Sequence, residues 1–460
     1  MGGAALPAPG AAVAEQLAAK VCGLTAGSLP ASVRRRAEEI LIDIVGLCVA
    51  ARGTDYVRAL TDGLDAGGPC TAFGHAATYS PADAALINGT AAHGEDFDDT
   101  FEGGPVHSGV VIVPAVLAAC ERFGRDGRSA LAGIAIGTEV LCRLSTVVPK
   151  AVHKAGFHPT GVLGAPAAAV AVAAALGLNP RQTVDAIGIA ASMASGIIEY
   201  LAEGAWTKRM HPGWAAQAGV QAARLAATGF YGPRTVFEGT HGLFNAFAHT
   251  SRGDYEALVG DLGRRWVMET LTFKPYATGT MNQPYIDCAL RLARHGIRPE
   301  DIAEVVCETA EGYVHRLWDP LPAKQRPANA YAAKFSTPFN VAVAYLTGSA
   351  GLEAFTEETA RDERILALAG KVRYVVDPDN PYPKAYTGHV KLILKDGREI
   401  EERQPHIRGG AQEPLSREDI EQKFRLNAAF GGWPEARGEA FLDFARKAFD
   451  GPLDFSAFRA

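Results

Sequence analysis

Several of the usual handles on function are missing from this sequence. The seven cysteines are scattered at Cys22, Cys48, Cys70, Cys120, Cys142, Cys288 and Cys307, with no CxxC among them. An odd, dispersed set is neither a disulfide framework nor a zinc ribbon; it points to buried thiols in a reducing compartment, here expected to be the cytoplasm. There is no GxGxxG after a strand pattern, no Walker A loop and no GxSxG elbow. Nucleotide-cofactor and serine-esterase chemistry lose their sequence basis with them. Basic charge is not in excess either, since 45 Lys and Arg against 51 Asp and Glu leave a net charge of −6. A nucleic-acid partner ordinarily asks for the opposite sign. The opening residues MGGAALPAPGAAVAEQ carry neither the charged n-region nor the apolar h-region of a signal peptide. The longest uncharged run, Thr160 to Asn179, is rich in Ala and Gly. Its summed hydrophobicity is low for a membrane span, so a buried helix and no membrane partner are expected.

What is present reads as a two-part globular chain. With 460 residues, 48% of them apolar and 21% charged, it is long enough for two or three domains and a core without staples. From Ala11 to about Phe247 the apolar spacing is helical almost throughout. Ser80-Pro81-Ala82-Asp83 and Asn179-Pro180 are helix starts, and Ser129 to Val148 and Gly161 to Leu176 are apolar all round, as central helices are. Beyond Phe273 short β-type runs appear at Glu304 to Glu308, Lys371 to Val376 and Gly388 to Leu394. The last is followed by Asp396-Gly397 and then Arg398 to Glu401, a hairpin signal. Helical stretches interleave at Pro284 to His295 and Ala332 to Leu346, and Ser416 opens another to Leu426. The expected fold class is mainly α with an α+β second domain: residues 1–267 helical, 268–408 α+β, and a helical tail 409–460 packing back on the first domain.

One acidic stretch, AAHGEDFDDTFEGGPVHSGVVIVP, concentrates His93, Glu95, Asp96, Asp98, Asp99, Thr100 and His107 between two apolar helices. Such density serves a solvated turn, a metal site or a proton-transfer site. HGEDFDD fits neither HExxH nor DxDxDG, which weakens the metal reading. A helix running from Pro81 through Asp99 places His93, Asp96, Asp99 and Thr100 on one face and turns Glu95 and Asp98 elsewhere, with Gly103-Gly104-Pro105 breaking it before His107. Further along, His158 heads an Ala-rich helix, where free backbone N–H groups favour an anion. Lys208 and Arg209 lie between apolar helices and suit a carboxylate clamp. FKPYATGTMNQP, residues 273–284, falls at the expected domain junction, and Gly239 to Gly242 reads as turn geometry.

The ordered blocks NGTAAHGEDFDDT, HSGVVIVPAVLA, GFHPTGVLGA, GTHGLFNAF, FKPYATG and AAKFSTPFNVAVA resemble the MmgE/PrpD superfamily over nearly the whole chain. The resemblance implies a large helical domain with a smaller α+β lid, a homodimer, and no required metal or organic cofactor. By motif it carries catalytic roles to Asp96, His107, His158, Lys208, Lys274 and, more loosely, Tyr313. Thr100, His153, Arg209, Gly279, Met281 and Asn282 are the expected substrate contacts. Two departures stand out. The spacing from Thr100 to His107 is one residue longer than the pattern, and the second His of the decarboxylase pattern, five positions after the lysine, is Gly279 here.

The residue types suit proton abstraction next to a carboxylate. Histidine titrates where a base or acid is needed, and Lys208, Lys274 and Arg209 hold carboxylates and developing charge. The expectation is a hydro-lyase-like enzyme acting on a small hydroxylated or unsaturated carboxylic acid. An epimerase or isomerase of an amino- or imino-dicarboxylate, a cis-aconitate-type decarboxylase and a non-catalytic binding protein on the same fold are the alternatives.

Overall fold

Helix starts form where the capping residues predict them. Ser80 Oγ accepts from the Asp83 N–H at 3.1 Å, Asn179 Oδ1 accepts from Gln182 N at 2.9 Å, and each is followed by Pro in the first turn. The computed structural model describes residues 10–104, 106–250 and 252–460; residues 1–9, Ser251 and Pro105, the expected helix breaker, lie outside the described residues.

By contacts the chain forms two units. The larger comprises Met1–Gly94, Asp98–Leu271 and Arg417–Ala460; the smaller comprises Glu95–Phe97 and Thr272–Ser416. Relative to the sequence expectation, the boundaries fall at 271/272 and 416/417 instead of 267/268 and 408/409. The three-residue membership of Glu95–Phe97 in the smaller unit has no counterpart in the expectation.

The larger unit is helical. Its main members are named here α1 (Ala31–Ala51), α2 (Pro81–His93), α3 (Gly109–Phe123), α4 (Gly127–Val147), α5 (Pro159–Leu176), α6 (Pro180–Ser192) and α7 (Thr207–Ala227). Two two-residue strands, Cys70–Thr71 and Thr78–Tyr79, pair antiparallel within this otherwise helical stretch. α4 and α5 are long and apolar enough to cross a membrane, and both are almost wholly buried inside the unit. Small residues let these helices approach: a Cβ at Gly137 would lie 2.3 Å from that of Ala171, and one at Gly219 would lie 2.3 Å from that of Ala168. Ala and Gly are therefore used here for contact distance. The tail helix α8 (Arg417–Phe430) packs along α1, where the Phe424 ring fills the space left by Gly46 and Lys423 Nζ pairs with Asp43 at 2.7 Å. One expectation fails. The helix from Pro81 ends at His93, not Asp99, because the Gly94 N–H closes the last turn and Asp96 then takes a left-handed φ of 53°.

The smaller unit holds a four-stranded sheet: β1 (Ile302–Thr309), β2 (Val372–Val376), β3 (Gly388–Leu394) and β4 (Glu399–Gln404), in the order β2-β1-β3-β4. β1 and β2 are parallel, whereas β1–β3 and β3–β4 are antiparallel. The β3–β4 hairpin turns at Lys395-Asp396-Gly397, with Gly397 at φ +88°, as its Asp-Gly pair predicts. Helices Gln283–Ala293 and Thr337–Thr347 belong to this unit; the expected helix at Ala332 is instead interrupted, because Ser336 caps a new start at Thr337-Pro338.

Candidate active site

Helix ends deliver four histidines to one place in the larger unit. His93 is the last residue of α2, His107 precedes α3, His158 is the residue before Pro159 at the start of α5, and His211 lies in the second turn of α7. Ring centroids are 4.9 Å apart for His93 and His107, 5.6 Å for His93 and His158, and 5.4 Å for His158 and His211. Tyr200 meets both His158 and His211 edge-on.

Two acids fix the first pair of rings. The wholly buried Asp98 Oδ2 accepts from His93 Nδ1 at 2.8 Å and lies 3.1 Å from His107 Nδ1. His107 Nδ1 also points at the Asp99 carbonyl oxygen, 2.7 Å away. Both neighbours of that nitrogen are acceptors, so it carries the proton, and the lone pair of a neutral His107 ring is on Nε2. The Asp99 carboxylate receives the N–H groups of Ser108 (3.0 Å) and Gly109 (2.9 Å), which caps α3 from outside the helix. The His107 N–H donates to Thr160 Oγ1 at 3.2 Å, tying this turn to α5.

Burial sets the protonation of the cluster. It pushes His93 down to about 4 against the pull of Asp98, with Lys208 and His107 adding to the depression. Burial, then His93 and Lys208, hold His158 well below the usual imidazole value, and the same forces bring His211 to about 4. Asp99 is raised to about 6 by burial and the neighbouring Asp98 charge, although the Gly109 N–H opposes this. His93, His158 and His211 are thus neutral imidazoles, with a cation, Lys208, one helical turn before His211. His93, Asp98 and His107 are also the described residues able to hold a metal ion, with ligand atoms within 4.8 Å of one another. As hydrogen-bonded, both Nδ1 atoms are N–H donors and not lone-pair ligands.

A second group forms in the smaller unit around Glu95–Phe97. Lys274, 1% exposed, donates to the Asp96 carbonyl oxygen at 2.8 Å, and Tyr331 Oη donates to Asp96 Oδ2 at 3.0 Å. Lys334, equally buried, pairs with Glu95 Oε2 at 2.6 Å and donates to its carbonyl oxygen at 2.8 Å. These contacts hold Asp96 in its left-handed conformation. Asn282, expected as a substrate contact, donates to Thr278 Oγ1 and the Lys334 carbonyl and accepts from Thr337. A Cβ at Gly279 would meet the Phe335 ring at 3.4 Å, in ordinary contact, and the Lys334 carbonyl oxygen at 3.8 Å. Met281 is half-buried beside it. Tyr313 is fully buried against the Tyr382 ring, 4.6 Å away, and burial raises its hydroxyl far above the usual phenol value.

Among the expected residues, the structure joins His107, His158 and Lys208 in the larger unit, and Asp96 and Lys274 in the smaller. Thr100 is buried in the short strand Thr100–Phe101, and His153 is half-buried on the short helix Ala151–Lys154. The Arg209 guanidinium stacks 4.4 Å from the centre of the Tyr56 ring. The expectation that Asp98 faces away from His93 and His107 is corrected, since it anchors both rings; Glu95 pairs with Lys334 in the smaller unit. His211 and Lys334 were missed, although Lys208 and His211 stand at i and i+3 on one helix, a signal present in KRMHPG.

Comparison with known proteins places the chain in a family. The model of the MmgE/PrpD N-terminal domain matches residues 15–256, and that of the MmgE/PrpD C-terminal domain matches residues 276–443. A mouse cis-aconitate decarboxylase is 28% identical over 436 residues, 91% of this chain and 87% of that protein. A cis-aconitate decarboxylase of Aspergillus terreus is 27% identical over 443 residues, 89% of each. A 2-methylcitrate dehydratase-like protein of Aspergillus oryzae is 27% identical over 176 residues, 35% of each. With both domain models matched in order and these relatives all carrying lyase names, this chain is a lyase-class enzyme and belongs to the MmgE/PrpD family.

Proposed function

We propose that this chain is a metal-independent hydro-lyase acting on a small hydroxylated or unsaturated carboxylic acid: a proton leaves the carbon next to a carboxylate and hydroxide leaves the neighbouring carbon as water, or the unsaturated acid gains both in reverse. One observation carries the reading: His107 Nδ1 is held between the Asp99 carbonyl and Asp98, leaving Nε2 as the nitrogen that can take a proton, in a fixed direction. A positioned base of this kind contributes about 10²–10⁴-fold. Lys208 supplies positive charge for a substrate carboxylate and for the enolate-like centre that follows proton loss. His158 is the second imidazole able to accept or return a proton, while Asp96, Thr100 and Lys274 take part on motif grounds. The relatives' names bring tricarboxylates to the front of the substrate panel, with cis-aconitate and 2-methylcitrate as first probes.

Decarboxylation is the second reading, favoured by the coverage of the decarboxylase relatives. Against it stands Gly279, which brings no imidazole to the position where the resemblance has a histidine. A homodimer in the cytoplasm accompanies the proposal, checked by light scattering and fractionation.

The test is turnover in D₂O on a panel of di- and tricarboxylates. Loss or gain of water supports the hydro-lyase, CO₂ release supports the decarboxylase, and exchange without net product supports an epimerase. Normal turnover by His107→Ala, His158→Ala and Lys274→Ala on the true substrate would remove this site from consideration.

A further inference from the structure

Proton abstraction by one base leaves the pairing of His158 with His211 unexplained. Their Nδ1 atoms lie 3.2 Å apart, on rings that are 5% and 7% exposed. An imidazole nitrogen presents either an N–H or a lone pair. Two N–H groups would collide there and two lone pairs would repel, so a single proton lies between the two rings. The arrangement is built. Gly196, at φ +123°, presses against His211, and a Cβ there would stand 3.2 Å from its Cγ and Nδ1. The Gly196 carbonyl accepts the His158 N–H at 2.7 Å, so one loop residue braces both histidines. The groups facing the pair are His93 from α2, His107 before α3, Lys208 on α7 and the Tyr200 ring. The carboxylate of Asp98 is engaged by His93 and His107.

We infer that His211 is a proton-sharing positioning residue that lets His158 act as a base without holding a full positive charge. The inference rests on the participation of His158 in the proposed reaction. In the resting pair His158 donates Nδ1–H to the His211 Nδ1 lone pair, and His158 Nε2 is free to accept. When Nε2 takes a proton from the substrate carbon, the carbon keeps the C–H electron pair as an enolate-like centre. The His158 Nδ1 proton then moves to His211 Nδ1. His158 ends neutral with Nε2–H, and His211 carries the added charge on two N–H groups. Returning the proton reverses both transfers, so the pair stores one proton and needs no other reactant. Burial depresses His158 more heavily than His211, so the added charge rests more easily on His211 than on His158.

The test combines two measurements on the full-length protein. In the absence of ligand, ¹⁵N-imidazole NMR should find one of the two Nδ1 atoms protonated and its partner not, or both at exchange-averaged positions. Two protonated or two bare Nδ1 atoms would overturn the inference. In turnover, His211→Asn keeps an amide oxygen to accept from His158 but cannot take the proton. It should lower kcat about tenfold or more with KM within about twofold, and turn a curved proton inventory in mixed H₂O and D₂O linear. A curved inventory and undiminished kcat in His211→Asn, alongside a dead His158→Ala, would refute the sharing while leaving His158 as a base. Full activity in His158→Ala would refute the underlying reading, and with it any role for His211 in turnover. A matching thermal melt for His211→Asn separates chemistry from misfolding.

Discussion

Replacing Asp98 by Asn is the sharpest probe of the histidine cluster. The side chain is wholly buried, and its Oδ2 lies 2.8 Å from His93 Nδ1 and 3.1 Å from His107 Nδ1. Asn has nearly the same shape and keeps one acceptor oxygen, and the Asp99 carbonyl still orients His107. What disappears is a negative charge beside a ring that becomes an imidazolium as it takes the substrate's proton. At about 4 Å between charge centres and an effective dielectric of about 20, that attraction is about 4 kcal/mol. Half the carboxylate charge sits on the remoter oxygen, so about 2–3 kcal/mol is the share lost in the transition state. At about 1.4 kcal/mol per decade this predicts a fall in kcat/KM of about 30–150-fold. The assay is kcat/KM on the substrate that emerges from the panel, with a thermal melt in parallel. A folded Asp98→Asn variant within about twofold of the parent would mean that no positive charge develops on His107, and the base assignment would fall.

Three further perturbations test other parts of the structure. His93 is neutral and buried, with a folded value of about 4 against an ordinary 6.5, so its contribution is complete above 6.5 and is lost as pH falls toward 4. The loss approaches about 3 kcal/mol, and denaturant midpoints of His93→Gln should fall less steeply over that range than those of the parent; parallel slopes would refute it. Lys334→Met leaves Glu95 in a largely buried site without its ammonium, at a cost of about 3 kcal/mol in urea unfolding that Lys334→Met with Glu95→Gln should largely recover. Gly219→Ala, ordinarily a stabilising change within a helix, should lower Tm here, because the new methyl would meet Ala168 at 2.3 Å; an unchanged or raised Tm would show that α5 and α7 separate easily.

The architecture was legible where local chemistry decides it. Ser80 and Asn179 announce their helices, Asp396-Gly397 announces its hairpin, and the all-apolar character of α5 announces its burial. The candidate site was legible in its members more than in its wiring. His107, His158 and Lys208 were found, but Asp98 was assigned to the wrong side because helical periodicity was extended past Gly94, where the chain leaves the helix. A left-handed aspartate such as Asp96 has no reliable sequence mark, since Asp tolerates that conformation without demanding it. Lys334 escaped notice because its partner, Glu95, is 239 residues away in the chain. His211 looked like one more residue in a basic loop until the Nδ1–Nδ1 approach gave it a partner.

The packing of α8 on α1 also sets an order on synthesis. The larger unit needs residues from its first helices and from Arg417–Ala460, whereas the segment Thr272–Ser416 is finished before that tail is translated. During those seconds α1 has Gly46 and Asp43 exposed where Phe424 and Lys423 will later dock. A chain halted at Ser416 would therefore leave the Gly46 face of α1 without the Phe424 ring and Asp43 without the Lys423 ammonium. The larger unit is thus closed in space by residues that are far apart in sequence, so its two ends must meet before its packing is complete.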